Sequence, residues 1–144
     1  MDENKLKHLE FIQTVISRMN SNSFLVKGWS VTLIAAIFAL AAKEADHAYA
    51  IVVYFPIVAF WGLDGFFISQ ERRYRHLYKE VRKKTDSTID FDMSTDKFCN
   101  TLDDNGKSSH WWPCVWSKTL IPFHGTLLAV TIIVMFVIPL LKGK

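Results

Sequence analysis

Ala48-Tyr-Ala-Ile-Val-Val-Tyr-Phe-Pro-Ile-Val-Ala-Phe-Trp-Gly-Leu-Asp-Gly-Phe-Phe-Ile68 runs without a turn signal into Ser69-Gln-Glu-Arg-Arg-Tyr-Arg-His-Leu-Tyr-Lys-Glu-Val-Arg-Lys-Lys84. About 20 apolar residues at a rise of roughly 1.5 Å each cross a hydrocarbon core about 30 Å thick. The second half carries Arg72, Arg73, Arg75, Lys79, Arg82, Lys83 and Lys84. This switch in composition predicts one long helix that leaves a bilayer near Ile68 and continues into water as a basic extension.

Working outward, two more apolar runs of near-spanning length occur, Phe24–Ala42 and Leu120–Leu141. A soluble core for 144 residues has no need of three such runs, so the chain reads as an all-α membrane protein forming a single domain. The expected layout is a cytosolic N-terminal helix over 1–22, spans over 24–42, 48–68 and 119–141, a basic cytosolic helix over 69–84 and a cytosolic loop over 85–117. Two spans with one buried or re-entrant segment form the alternative. The first run does not read as a cleavable signal peptide, because what precedes it is a helical pattern and not a short basic leader. Cys99 and Cys114 fall in the cytosolic loop, so reduced thiols are expected.

From Asp2 to Met19, Leu6, Leu9, Ile12, Val15, Ile16 and Met19 recur at helical spacing. That stripe suits packing on another cytosolic helix, with Leu77 and Val81 as partners, or lying on lipid headgroups. Asn20-Ser-Asn-Ser23 then breaks the pattern and reads as the start of the first span, a kinked but unbroken helix being the alternative. Within that span Gly28, Thr32, Ala35, Ala36 and Ala39 form rows of small residues. Such rows let helix backbones approach closely in lipid, within one chain or between chains, and the within-chain case is the preferred expectation. Lys43-Glu-Ala-Asp-His47 is a short polar connection, which makes the first two spans a hairpin. Pro56 should kink the second span or be absorbed by neighbouring helices.

Fourteen Lys and Arg lie before the first apolar core or between the second and third spans, against three elsewhere. The positive-inside rule therefore places the N-terminus and the long loop in the cytoplasm and the C-terminus outside. The loop is acidic and turn-prone, and Ile89-Asp-Phe-Asp-Met93 alternates as a short strand or an irregular segment would. Asp103-Asp-Asn-Gly106 lacks the ligand spacing of a calcium loop and reads as a turn. Trp111, Trp112 and Trp116 are expected as interfacial anchors at re-entry to the membrane. Ser117 or Thr119 is a candidate cap for the third span, with Pro122 in its first turn.

No Gly-rich phosphate loop, nucleophile elbow or paired-His zinc motif is present, and the five histidines lack ligand spacing. The chain is expected to be neither an enzyme nor a holder of a metal or cofactor. Lys27 and Asp64 are the charges set inside the spans. Antiparallel topology places them at similar depth, where pairing relieves the cost of burial. The pair reads as a staple, as two side chains snorkelling outward, or as part of a gate. The seven cations from Arg72 to Lys84 suit anionic lipid at the inner leaflet, with nucleotide phosphate as the alternative partner. No span carries a continuous polar stripe, so conduction would require an oligomer lined by small or apolar residues.

Ser17-Arg-Met-Asn-Ser-Asn-Ser-Phe, Lys27-Gly-Trp-Ser-Val-Thr, Phe60-Trp-Gly-Leu-Asp-Gly-Phe-Phe, Gln70-Glu-Arg and Ser117-Lys-Thr-Leu together resemble a group of small bacterial inner-membrane proteins without assigned chemistry. In layout the chain is also similar to the SLATT-type membrane effectors of anti-phage systems. That resemblance implies an oligomer that permeabilises the inner membrane when a partner senses infection. The expected function is thus an oligomeric inner-membrane effector answering a cytosolic protein partner or a signalling nucleotide, with membrane lipids around it. A non-conducting scaffold or regulatory subunit and a membrane receptor for a nucleotide are the alternatives.

Overall fold

Two helices dominate the computed structural model, which describes residues 3–44 and 48–137. Helix α1 runs over Glu3–Glu44 and α2 over Ala48–Lys83. At roughly 1.5 Å per residue they extend about 63 and 54 Å, well beyond a hydrocarbon core of about 30 Å. Both are long and apolar enough to cross a membrane. They pack side by side; of the predicted connection Lys43–His47, Lys43 and Glu44 continue α1 and residues 45–47 lie outside the described residues.

The predicted boundary between an N-terminal helix and a first span does not exist. Residues 20–23 continue α1 without interruption. His8, Ile12, Ile16, Ser23, Ser30 and Ile34 are all buried, and their spacings of four or seven residues keep them on one helix face. A single face therefore passes straight through the Asn-Ser segment. Propensity is a weak prior, and packing along α2 overrides it.

Three layers of contact hold the hairpin. At one end Ile12 and Ile16 of α1 meet Leu77 and Val81 of α2, with Leu9, Tyr74 and Tyr78 beside them. At the other, Ile34 meets Val53 and Ile57, with Leu127, Leu128 and Met135 packed against them. Between these layers lies a polar one, built around Asp64. Helix α2 passes through Pro56 as one element, the proline being buried.

After α2 the chain folds back along it. No strand forms among the described residues, so Ile89–Met93 is irregular. Phe91 sits at φ 53°, a left-handed conformation that costs an L-residue roughly 1–2 kcal/mol. The turn brings its ring to 5.3 Å from His8 and 6.4 Å from Phe11. Asp103 closes a tight turn by accepting from the backbone N–H groups of Asn105 and Lys107 at 2.9 and 2.7 Å. Gly106, at φ +72°, supplies its left-handed position. A short helix α3, Trp111–Val115, then meets α2 so closely that a Cβ on Gly65 would fall 3.1 Å from the Val115 Cα.

Helix α4 spans Leu120–Ile132 and continues as a π-helical turn over Ile133–Val137. Neither candidate cap functions as one. Thr119 makes no side-chain capping bond, and the Ser117 hydroxyl finds no partner among the described residues. The backbone carbonyl of Ser117 instead accepts from the Leu120 and Ile121 N–H groups at 3.0 and 3.1 Å. The predicted end of the third span, beyond residue 137, lies outside the described residues.

Candidate functional site: a buried charge cluster beneath a basic groove

Asp64 has no solvent-exposed surface. Its Oδ2 lies 2.6 Å from Lys27 Nζ and 3.0 Å from His124 Nε2. Its Oδ1 accepts from the Ser23 hydroxyl, and Lys27 Nζ also donates to Ser23 Oγ at 2.8 Å. Helix α1 thus contributes Ser23 and Lys27, α2 contributes Asp64, and α4 contributes His124. A carboxylate in an apolar layer is very costly alone and tolerable with a cation and two further donors. The structure brings the predicted Lys27–Asp64 pair together and adds two members to it.

Ser23 and His124 were not predicted members. Ser23 reads as a helix cap in sequence, and His124 as one of four scattered candidates, with Thr32, Thr126 and Thr131, for a polar lining. The available signals were geometric. Ser23 lies seven residues after Ile16 on the buried face, and His124 sits about one turn into α4, near the depth of Asp64. The His124 ring stacks on Trp61 at 5.7 Å and meets Phe123 edge-on at 5.0 Å. Its bond to a carboxylate makes the Nε2–H form the donor. Its Nδ1 is buried without a hydrogen-bond partner among the described residues.

Trp61 Nε1 donates to the Val115 carbonyl at 2.8 Å, and Trp111 Nε1 to the Gly62 carbonyl at 3.0 Å. The indoles of Trp111 and Trp112 stack at 5.1 Å, and Trp116 sets its edge against Trp61 at 5.5 Å. All three predicted anchors are exposed. They cluster on one side of α2, beside Val58, Trp61 and Gly62 and within two turns of Asp64, as suits amphipathic side chains where apolar surface gives way to polar.

The five small residues predicted to pack within the chain do not do so. Gly28, Thr32, Ala35, Ala36 and Ala39 all face outward. The reason is the register set by Ser23, Ser30 and Ile34, which turns a different side of α1 toward α2 and α4. Exposed large side chains share this level, among them Phe24, Trp29, Val52, Phe55 and Val58. Only 17 % and 33 % of the most apolar windows of α1 and α2 are buried. The core helix of a soluble protein would be mostly covered.

The basic extension is not simply a lipid-facing surface, because much of it holds the loop. Arg72 Nη1 donates to the Ser108 carbonyl at 2.6 Å and Arg73 Nε to the Ser109 carbonyl at 3.5 Å. Lys79 pairs with Asp104, and Lys84 reaches Asp90 at 3.0 Å. Arg75 pairs with Glu71 one turn away at 2.6 Å. Arg82 and Lys83 are exposed. The bond from Lys79 holds Asp104 below the usual carboxylate range, and the bond from Lys84 does the same for Asp90. Burial, with Lys79 nearby, lowers His76, whose ring stacks on Phe98 at 5.8 Å. Burial raises the Cys114 thiol, and Cys99 and Cys114 are both free.

Two cavities follow the cleft between α1, α2 and the Asp103 turn. One, of about 410 Å³, is lined by Arg72, Arg75, Lys79 and Arg82 with Tyr78 and Asp103. The other, of about 350 Å³, is lined by Ser23, Lys27, Glu71, Arg72, Arg75 and Lys107, among others. Arg72, Arg75 and Asp103 belong to both. The second therefore opens onto two of the three partners of Asp64.

No family model, curated protein or solved structure matches this chain.

Proposed function

We propose that this protein is an oligomeric effector of a bacterial inner membrane, crossing it three times. It would perturb or permeabilise the barrier when a cytosolic signal arrives, with anti-phage defence as the setting its sequence resemblance suggests. The observation that carries this reading is the Ser23–Lys27–Asp64–His124 cluster. It ties three helices together by charge within a layer otherwise clad in exposed apolar side chains. Ionisable groups inside membrane segments are costly and are retained where they act in pathways or switches. Read as a latch, the cluster would loosen the polar layer between two apolar ones once Lys27 is drawn away from Asp64. The outward row of small residues on α1 supports assembly with further copies, because small residues permit close helix contact in lipid.

Reconstituted vesicles test this directly. Asp64→Asn keeps the side-chain volume and removes the charge that holds Lys27. The variant is expected to leak entrapped potassium several-fold faster than wild type, and single cysteines at Ala36 or Ala39 are expected to give disulfide-linked dimers in membranes. Folded Asp64→Asn protein that leaves vesicles as tight as wild type, with no cross-linking, would instead leave the non-conducting scaffold.

A further inference from the structure

We infer that the cleft between α1, α2 and the Asp103 turn is a binding site for a phosphate-bearing anion, with the Arg75 guanidinium and the Lys107 ammonium as its principal donors. Six cations line the two joined cavities: Lys27, Arg72, Arg75, Lys79, Arg82 and Lys107. Glu71 and Asp103 are the acids of the lining, and Asp64 and Asp104 pair with Lys27 and Lys79 from beside it. Each cavity falls in the range of about 300–1,000 Å³ typical of small-molecule sites. The wall is concave and convergent, so the excess charge is focused and not spread over a convex helix.

The donors divide by present occupation. Arg72 holds the Ser108 carbonyl, and Lys79 holds Asp104. Among the described residues Arg75 is paired only with Glu71 on its own helix, and its side chain is 57 % exposed. Lys107 and Arg82 are exposed. Three cations can thus turn to a ligand without dismantling the loop. Guanidinium groups match phosphate oxygens in paired, charge-assisted hydrogen bonds, which favours phosphate over a simple carboxylate. Tyr78 adds an aromatic wall to the larger cavity. The inner end of the cleft is Lys27 and Ser23. A phosphate seated there competes with Asp64 for the Lys27 ammonium, which would couple occupancy to the charge latch.

The same chemistry comes from two sources, a phospholipid headgroup at the membrane surface or a soluble phosphorylated molecule. The site goes beyond the barrier-perturbing reading and stands without it, since binding is measured where flux is not. Full-length protein in phosphatidylcholine nanodiscs is titrated with inorganic pyrophosphate by calorimetry. In parallel, protein extracted from phosphatidylglycerol vesicles is examined by native mass spectrometry for retained lipid. Saturable pyrophosphate binding identifies a soluble ligand, and retained phosphatidylglycerol without it identifies a headgroup.

In either arm Arg75→Gln and Lys107→Gln should each weaken binding about tenfold, the loss of one charge-assisted hydrogen bond. Glu71→Gln, which frees Arg75, should tighten it. Among the described residues Arg75 makes only a pair within its own helix, and Lys107 is exposed, so these variants should remain folded, as circular dichroism would check. Binding in neither arm, or binding indifferent to all three substitutions, overturns the proposal.

Discussion

At the scale of single residues, the carboxylate of Asp64 decides the energetics of the middle layer. It has three donors, and Lys27 is shared between it and the Ser23 hydroxyl. Removing one partner from a buried ion pair strands the other, at a cost of about 3–5 kcal/mol. Lys27→Ala leaves the carboxylate with only Ser23 and His124 as donors. Asp64→Ala leaves both a cation and the His124 Nε2 without their acceptor. Each single variant is therefore expected to lose about 3 kcal/mol of stability in detergent, scored by the midpoint of thermal unfolding. The double variant has no stranded charge, so its loss should lie nearer one single variant than the sum of both. Simple additivity would show that the two groups do not act as a pair.

At the scale of elements, the segment after α2 is a clasp drawn onto a basic helix. Lys79–Asp104, Lys84–Asp90 and Lys97–Glu80 are its ion pairs, and Arg72 and Ser69 fasten its C-terminal end at Ser108 and Ser109. Asp90 and Asp104 have folded-state pKa values lowered by their lysine partners. Their contribution is accordingly complete above the unfolded carboxylate value of about 3.9 and disappears as pH falls through the folded values. Amide exchange protection at Asp103, Gly106 and Ser109, whose N–H groups close the turn, should fall below pH of about 4. It should fall in high salt as well, since exposed pairs are screened. Protection unchanged by acid and by salt would mean that the backbone bonds to Arg72 and Ser69 hold the clasp alone.

The same elements show what sequence can and cannot reveal. Length and apolar composition announce α1 and α2, because those properties are local. The Lys27–Asp64 approach follows from antiparallel depth alone. Ser23 and His124 stayed hidden because a polar residue on a buried face looks like a cap or an accident until the partner helix is in place. The Asn-Ser segment misled for a related reason. Its propensity for a break is smaller than the gain from one face running unbroken from His8 to Ile34. The outward turn of Gly28 and Ala36 was equally invisible, since small residues recur on more than one side of α1.

At the scale of the whole molecule, the surface divides in two. Exposed apolar side chains run from Phe24 to Leu40 on α1, from Val52 to Phe66 on α2 and from Ile121 to Phe136 on the last helix. The remainder of α1 and α2 carries the ion pairs and the clasp. The tryptophans and the Asp64 cluster lie at the division, which fits immersion of the apolar half to that level. The described part of the last apolar helix, Leu120–Phe136, measures about 25 Å at 1.5 Å per residue, slightly less than a hydrocarbon core of about 30 Å. It crosses fully only if the chain continues outward beyond it. With fourteen of seventeen Lys and Arg assigned to one side, reporter fusions should place the N-terminus and the Asn105–Gly106 turn together in the cytoplasm. A C-terminal alkaline phosphatase fusion should be active, and the matching fluorescent-protein fusion dark. The reverse result at the C-terminus would make the last helix re-entrant. His124 would then sit at the rim of a two-span hairpin and not between three spans, and the latch would face water on its α4 side.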